Sequence, residues 1–190
     1  MYTKLGFYIN LFLFYLLITF QSYQIYHIIT ASPLKLNDDI TFCAKRKMLE
    51  AMDSDDLYSK RAMSFVFNST TINISKIKLF WNSTLKCLNT SKIYKAPIYD
   101  SKNVIAYVYP NIGKWSIYHN RIYIYPKSYK DLDMNQQANT LIHECTHLGF
   151  NTYDYAYRWE EKISNLRGKK ALYNADSHVA LINEITNKCY

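Results

Sequence analysis

The sequence predicts a single α+β domain, and three observations predict it. Apolar residues recur at helical spacing in the first and last thirds of the 190-residue chain. Short β-branched and Tyr-rich runs occupy the middle, and no internal repeat or low-complexity linker divides them. A hydrophobic share of 49% with only 4 Gly and 4 Pro excludes collagen-like, low-complexity and disordered classes, because such a chain can bury ample apolar surface. The 19 Tyr are read as strand and surface packing residues, each an apolar body with a polar tip.

At the N-terminus Lys4 precedes an apolar stretch, Leu5 to Phe20, broken by Asn10 and Thr19, which matches a charged n-region followed by the apolar core of a signal peptide. Residues 1–24 are therefore expected to direct export and residues 25–190 to form the functional domain. A signal anchor is the rival reading, disfavoured because a spanning helix takes about 20 apolar residues. From Asp38 or Asp39, either able to cap orphan backbone donors, Ile40, Cys43, Ala44, Met48 and Ala51 outline a helix. Asp53 to Asp56 offers a break before Leu57, Arg61, Ala62 and Phe65, and Ile77, Phe80, Trp81, Leu85 and Leu88 outline another helix. Asn103 to Tyr109 and Ile117 to Tyr125 read as short antiparallel strands separated by Pro110, Asn111, Gly113 and His119-Asn120. Asp131 or Asp133 then caps a helix from about Met134 to Leu148, stopped by Gly149 as a left-handed terminator. Trp159 to Leu166 and Ser177 to Lys188 complete the chain as two helices around Gly168.

Lys and Arg outnumber Asp and Glu by 23 to 15, a net charge of +8. The clusters Lys45-Arg46-Lys47, Lys60-Arg61 and Lys169-Lys170 are short and far apart, so a solvated basic surface is expected, with neither a nucleic-acid nor a stable membrane partner. Asn68, Asn73, Asn82 and Asn89 each open a glycosylation sequon, in keeping with export. The 4 Cys, at 43, 87, 145 and 189, allow two disulfides in three connectivities.

The chemistry concentrates in His143-Glu144-Cys145-Thr146-His147. On a helix the two His lie roughly 40° apart, so both imidazoles reach one metal ion. Met134, Ala138, Leu141, Cys145 and Leu148 cluster on the other side of the wheel, so the His pair faces a cleft while this stripe packs on the core. A catalytic Zn²⁺ takes three protein ligands and keeps one position open. Spacing favours Asp154, seven residues past His147, as the third, with Glu160 and Glu161 as rivals further on.

Three segments together, His143 to His147, Asn151-Thr152-Tyr153-Asp154-Tyr155-Ala156-Tyr157, and Asn174-Ala175-Asp176-Ser177, resemble in order and spacing the HExxH, GTxDxxYG and NADS motifs of the aspzincin metallopeptidases, the deuterolysins and peptidyl-Lys metalloendopeptidases. The resemblance extends from about Cys43 to the C-terminus and implies a zincin-like fold in which one Zn²⁺ is held by His143, His147 and Asp154. It further implies that Glu144 is the general base, that Tyr157 steadies the oxyanion, and that Asp176 binds substrate, receiving a Lys ammonium, although Val179 stands where a second acid would help. Asn151 and Arg158 replace the two flanking glycines of the family pattern, and Asn tolerates left-handed backbone whereas Arg does not. The resemblance also implies a Cys43–Cys87 disulfide, and Cys145 is then paired with Cys189.

The expected function is a secreted zinc-dependent metalloendopeptidase acting on protein or peptide substrates, with a preference for Lys left open. The competing expectation is a catalytically silent secreted glycoprotein that keeps the fold as a binding module.

Overall fold

The computed structural model describes residues 2–54, 74–97, 104–109 and 120–189. The expected helix around Leu57 to Phe65, the outer ends of both expected strands, and the sequon residues Asn68 and Asn73 lie outside them.

Helix α1 (Tyr2–Thr30) carries the apolar N-terminal run, and no described helix is long and apolar enough to cross a membrane. Helix α2 (Asp38–Asp53) is capped by Asn37, whose side chain accepts from the Asp39 N–H, one position ahead of the expected acids. All five residues that outlined it are buried. Helix α3 (Ile74–Thr90) buries Ile77, Phe80, Trp81 and Leu88 on one face and leaves Asn82 and Asn89 exposed on the other.

Three short strands follow, β1 (Lys92–Lys95), β2 (Ala106–Tyr107) and β3 (Arg121–Ile124), in the order β1-β3-β2. The sheet is mixed where an antiparallel one was expected. β2 and β3 pair antiparallel as foreseen, but β1 pairs parallel with β3, Ile93 opposite Ile122. β1 escapes a sequence reading because it has only four residues with Lys at both ends, too short to show alternation. The outer edge of β1 is covered by the segment before α2, through Leu34 N–H to the Ile93 carbonyl and Lys95 N–H to the Ser32 carbonyl. Among the described residues the free edge belongs to β2.

After the one-turn helix α4 (Pro126–Lys130), Asp133 and Gln136 form a reciprocal capping box that opens α5 (Met134–Phe150). Ala138, Leu141, Cys145 and Leu148 are buried as the apolar stripe requires, and α5 packs against α2, α3 and α7 (Ala175–Ile185). Gly149 does not terminate this helix. It lies inside it, and a Cβ there would meet the Ser83 carbonyl carbon and oxygen at 3.0 Å, so glycine is required by the close approach of α3. The left-handed terminator is Asn151, with φ 51° and ψ 45°. Beyond it the expected Trp159–Leu166 helix is reduced to a 3-10 turn, Glu161–Asn165, before the short helix α6 (Gly168–Leu172).

The disulfides differ from the expected pairing: Cys43 joins Cys189 and Cys87 joins Cys145, with Cα–Cα distances of 6.0 and 5.5 Å. The reason is packing. Cys145 belongs to the α5 stripe that faces α3, where Cys87 lies on the inner side, while the tail after α7 returns Cys189 to α2. Lys47 is fully buried at the centre, its ammonium donating to the side-chain oxygens of Asn135 on α5 and Asn183 on α7 at 2.7 and 2.5 Å. Burial, helped by the nearby Arg158 charge, pulls its pKa down to about 8.

Candidate metal centre

Helix α5 presents His143 and His147 one turn apart, and the left-handed Asn151 turns the chain so that Asp154 comes back beneath them. Asp154 Oδ1 lies 3.1 Å from His143 Nε2 and 3.3 Å from His147 Nε2, and the two Nε2 atoms are 3.1 Å apart. Glu160 is not drawn in; its carboxylate accepts from the Tyr157 N–H and pairs with Lys162, while Glu161 is exposed in the 3-10 turn.

Each ring is held from behind. His143 Nδ1 lies 3.1 Å from Asp176 Oδ1, and His147 Nδ1 lies 2.9 Å from the Thr152 carbonyl. Both partners only accept, so both Nδ1 atoms carry a proton and both Nε2 atoms turn toward Asp154. Two ring nitrogens and a carboxylate oxygen at these separations are stable only around a positive charge, a proton on His143 or a bound metal ion. Ligands of a tetrahedral Zn²⁺ at the usual bond lengths sit about 3.3 Å from one another, so the three donors fit one ion and leave a fourth position open.

The proton affinities express the same demand. Burial opposes a charge on His143, but Asp154 and Asp176 outweigh it and push its pKa up to about 10. Burial would raise Asp154 too, yet the two imidazoles hold its carboxyl well below the usual range. Glu144, 5% exposed, is pushed up by burial, with His143 and His147 acting the other way. Tyr157 stacks on His143 at 6.2 Å between ring centroids, and burial followed by the Asp154 charge pushes its hydroxyl up to about 12, so it keeps its proton.

The structure brings together His143, His147, Asp154, Glu144, Tyr157 and Asp176. It also gives work to residues that a sequence reading left unassigned. Thr152 orients His147 and bonds Thr146 Oγ1 at 2.8 Å, and Asn174 closes two hydrogen bonds on Ala156, between Asp154 and Tyr157. The signal for both was their place inside the shared motifs. Asp176, only 3% exposed, has both oxygens engaged, Oδ1 by His143 and Oδ2 by the Arg158 N–H at 3.0 Å.

Residues 81–181 match the model of the aspzincin family, described as lysine-specific metallo-endopeptidase. The chain belongs to the aspzincin metallo-endopeptidases. The matched region begins in α3 and runs through the sheet and the metal centre into α7, so it holds all three donors of this aspzincin. A solved structure, the zinc peptidase from Grifola frondosa, superposes with a TM-score of 0.50 at 21% identity over 76% of this chain and 90% of that one, which shows a zincin-like fold. No curated protein sequence matches the aspzincin chain at a significant level.

Proposed function

We propose that this aspzincin is an exported endopeptidase that binds one Zn²⁺ through His143, His147 and Asp154. The observation that carries the reading is the convergence of the three donors with both Nδ1 protons committed elsewhere. A bound divalent ion would polarise the scissile carbonyl and make water acidic enough to serve as a nucleophile near neutral pH.

The chain's own residues supply the rest. Glu144 borders the cleft on both sides of the donor cluster, and its raised proton affinity suits a group that takes the proton of the attacking water and passes it to the leaving amine. The Tyr157 hydroxyl, still protonated, would donate to the oxyanion that develops on the substrate. Asp176 and Thr152 keep both imidazoles in one tautomer, so no proton need move within the donor set before a substrate binds. A preference for Lys needs a carboxylate free to receive an ammonium, and the engaged Asp176 is better suited to positioning His143.

Export is supported by the charged-then-apolar start of the chain, by two disulfides that leave no free cysteine among the described residues, and by the exposed sequon residues Asn82 and Asn89. On this reading residues 1–24 are the export signal and residues 25–190 the catalytic domain.

The test is metal analysis of the purified protein alongside hydrolysis of a denatured substrate protein. One zinc per chain, cleavage abolished by a chelator and restored by Zn²⁺, and a Glu144→Gln variant that retains zinc but is slowed by about 10²–10⁴-fold are the expected results. Zinc binding without hydrolysis would support the silent binding module instead. Hydrolysis indifferent to metal removal would overturn the proposal.

A further inference from the structure

The cleft divides into two pockets with Glu144 and Asp154 bordering both. The one on the His143 side is walled by Val104, Ile105, Asn139, Arg158 and Asp176. The carboxyls of Glu144, Asp154 and Asp176 thus border it against the single guanidinium of Arg158. Each of these acids already has work. Asp154 faces the imidazoles, Glu144 is the proposed base, and Asp176 has one oxygen on His143 and the other on the Arg158 N–H. Val179, fully buried, adds no further acid. The idle acceptor is Asn139, on α5 one turn before His143: it is 3% exposed, and its Oδ1 has no hydrogen-bond partner among the described residues. Asn135, one turn earlier on the same helix, is answered by the Lys47 ammonium at 2.7 Å. Asn139 has no such answer from the fold, and a buried acceptor in that state carries a desolvation cost that a donor entering the pocket would remove.

We propose that Asn139 is the specificity residue of this pocket, its Oδ1 accepting a hydrogen bond from a substrate side chain that ends in N–H donors. The inference rests on the peptidase reading above and adds to it a residue outside the three shared motifs. Residues 104–106 line this pocket and 106–108 the other, along the free edge of β2. A peptide added antiparallel to that edge runs from the second pocket toward this one, which places its occupant on the leaving-amine side of the cut. A Lys ammonium or a Gln carboxamide brings the missing donor there. Asp176, though engaged, keeps its charge, so the surrounding carboxyls supply the field and Asn139 the hydrogen bond. An apolar side chain of the same length would leave Oδ1 unpaired, and a carboxylate would set acceptor against acceptor.

The experiment compares kcat/KM of the zinc-loaded protein on peptides identical except for Lys, Gln, norleucine or Glu after the cut, norleucine being the Lys stem without its nitrogen. Wild type should favour Lys or Gln over norleucine by about tenfold or more, with Glu poorer still. Asn139→Leu, which keeps the size and removes the acceptor, should erase that margin while zinc is still bound. Asn139→Asp, which keeps the shape and adds a charge, should move the ranking toward Lys and away from Gln by about tenfold. A wild type indifferent to the nitrogen, a wild type that favours Glu, or a margin untouched in zinc-bound Asn139→Leu overturns the proposal. If Asn139→Leu does not fold, Asn139→Asp decides, and an unmoved ratio of Lys to Gln overturns it. If nothing is cleaved, the peptidase reading falls, and calorimetry of the zinc-loaded wild type with the same peptides decides this one: the Lys or Gln peptide should bind more tightly than the norleucine peptide, and equal binding or none overturns the assignment of Asn139.

Discussion

Asn174 closes both ends of its carboxamide on the backbone of Ala156: Oδ1 accepts from the Ala156 N–H at 3.0 Å, and Nδ2 donates to the Ala156 carbonyl at 2.9 Å. Asn174 stands at the N-cap of α7 but makes no side-chain cap bond to that helix. It acts instead as a clamp on the loop that carries Asp154 and Tyr157. The bridge between Tyr153 and Asn174, with Ala175 N–H donating to the Tyr153 carbonyl at 3.0 Å, continues the same seam.

Asn174→Ala should therefore loosen the third donor as well as the fold. Two buried backbone groups lose their partners, a cost of about 2–4 kcal/mol, to be read from urea unfolding of the metal-free protein. Zinc affinity, measured by competition with a chromogenic chelator, should fall with it. A variant within about 0.5 kcal/mol of wild type and equal in affinity would show that the seam holds without the clamp.

Asp176→Asn discriminates between the two roles open to this carboxylate. If it positions His143, zinc affinity drops about 10–100-fold, because the ring loses the charge that fixes its tautomer. If it only receives a substrate ammonium, affinity stays and the KM for Lys peptides rises. The engaged oxygens predict the first outcome.

The buried His178 gives stability a pH dependence of known sign. Burial pulls its pKa down to about 4, and the Leu172 carbonyl, 2.7 Å from Nε2, offsets only part of this. An unfolded His titrates near about 6.5, so between those values the unfolded chain binds more protons and stability rises with pH. The contribution is whole above about pH 6.5 and is lost as pH falls toward 4, roughly 3 kcal/mol in all. Urea midpoints at pH 7 and 4.5 should differ less for His178→Gln than for wild type. Equal differences would remove His178 from the account.

Gly149→Ala should destabilise, although alanine favours helices by about 1 kcal/mol over glycine. The added methyl meets the Ser83 backbone at 3.0 Å, which cannot rotate away, and overpacking of this kind costs about 1–3 kcal/mol. A rise in melting temperature would mean that α3 and α5 separate more easily than their contact suggests.

The helices around Ile40 to Ala51, Ile77 to Leu88 and Met134 to Leu148 were legible because their signal is local: apolar residues every three or four positions declare which face is buried. The His143 and His147 pair was legible for the same reason, since one turn of helix fixes their separation. Asp154 was favoured over Glu160 by chain distance, and the left-handed Asn151 made that distance effective. Strand β1 was not legible, because its four residues gain their order from β3, reached only after the intervening chain.

By itself, then, the sequence determined the helical faces, the imidazole pair and the motif set that joins this chain to its family, all of which depend on residues a few positions apart. The tertiary structure alone decided that Cys145 meets Cys87 and Cys43 meets Cys189, that Gly149 serves the approach of α3, and that Asp176 spends both oxygens on His143 and Arg158. These are contacts between distant segments, and their partners are chosen by how whole helices pack, a quantity no short stretch of chain contains.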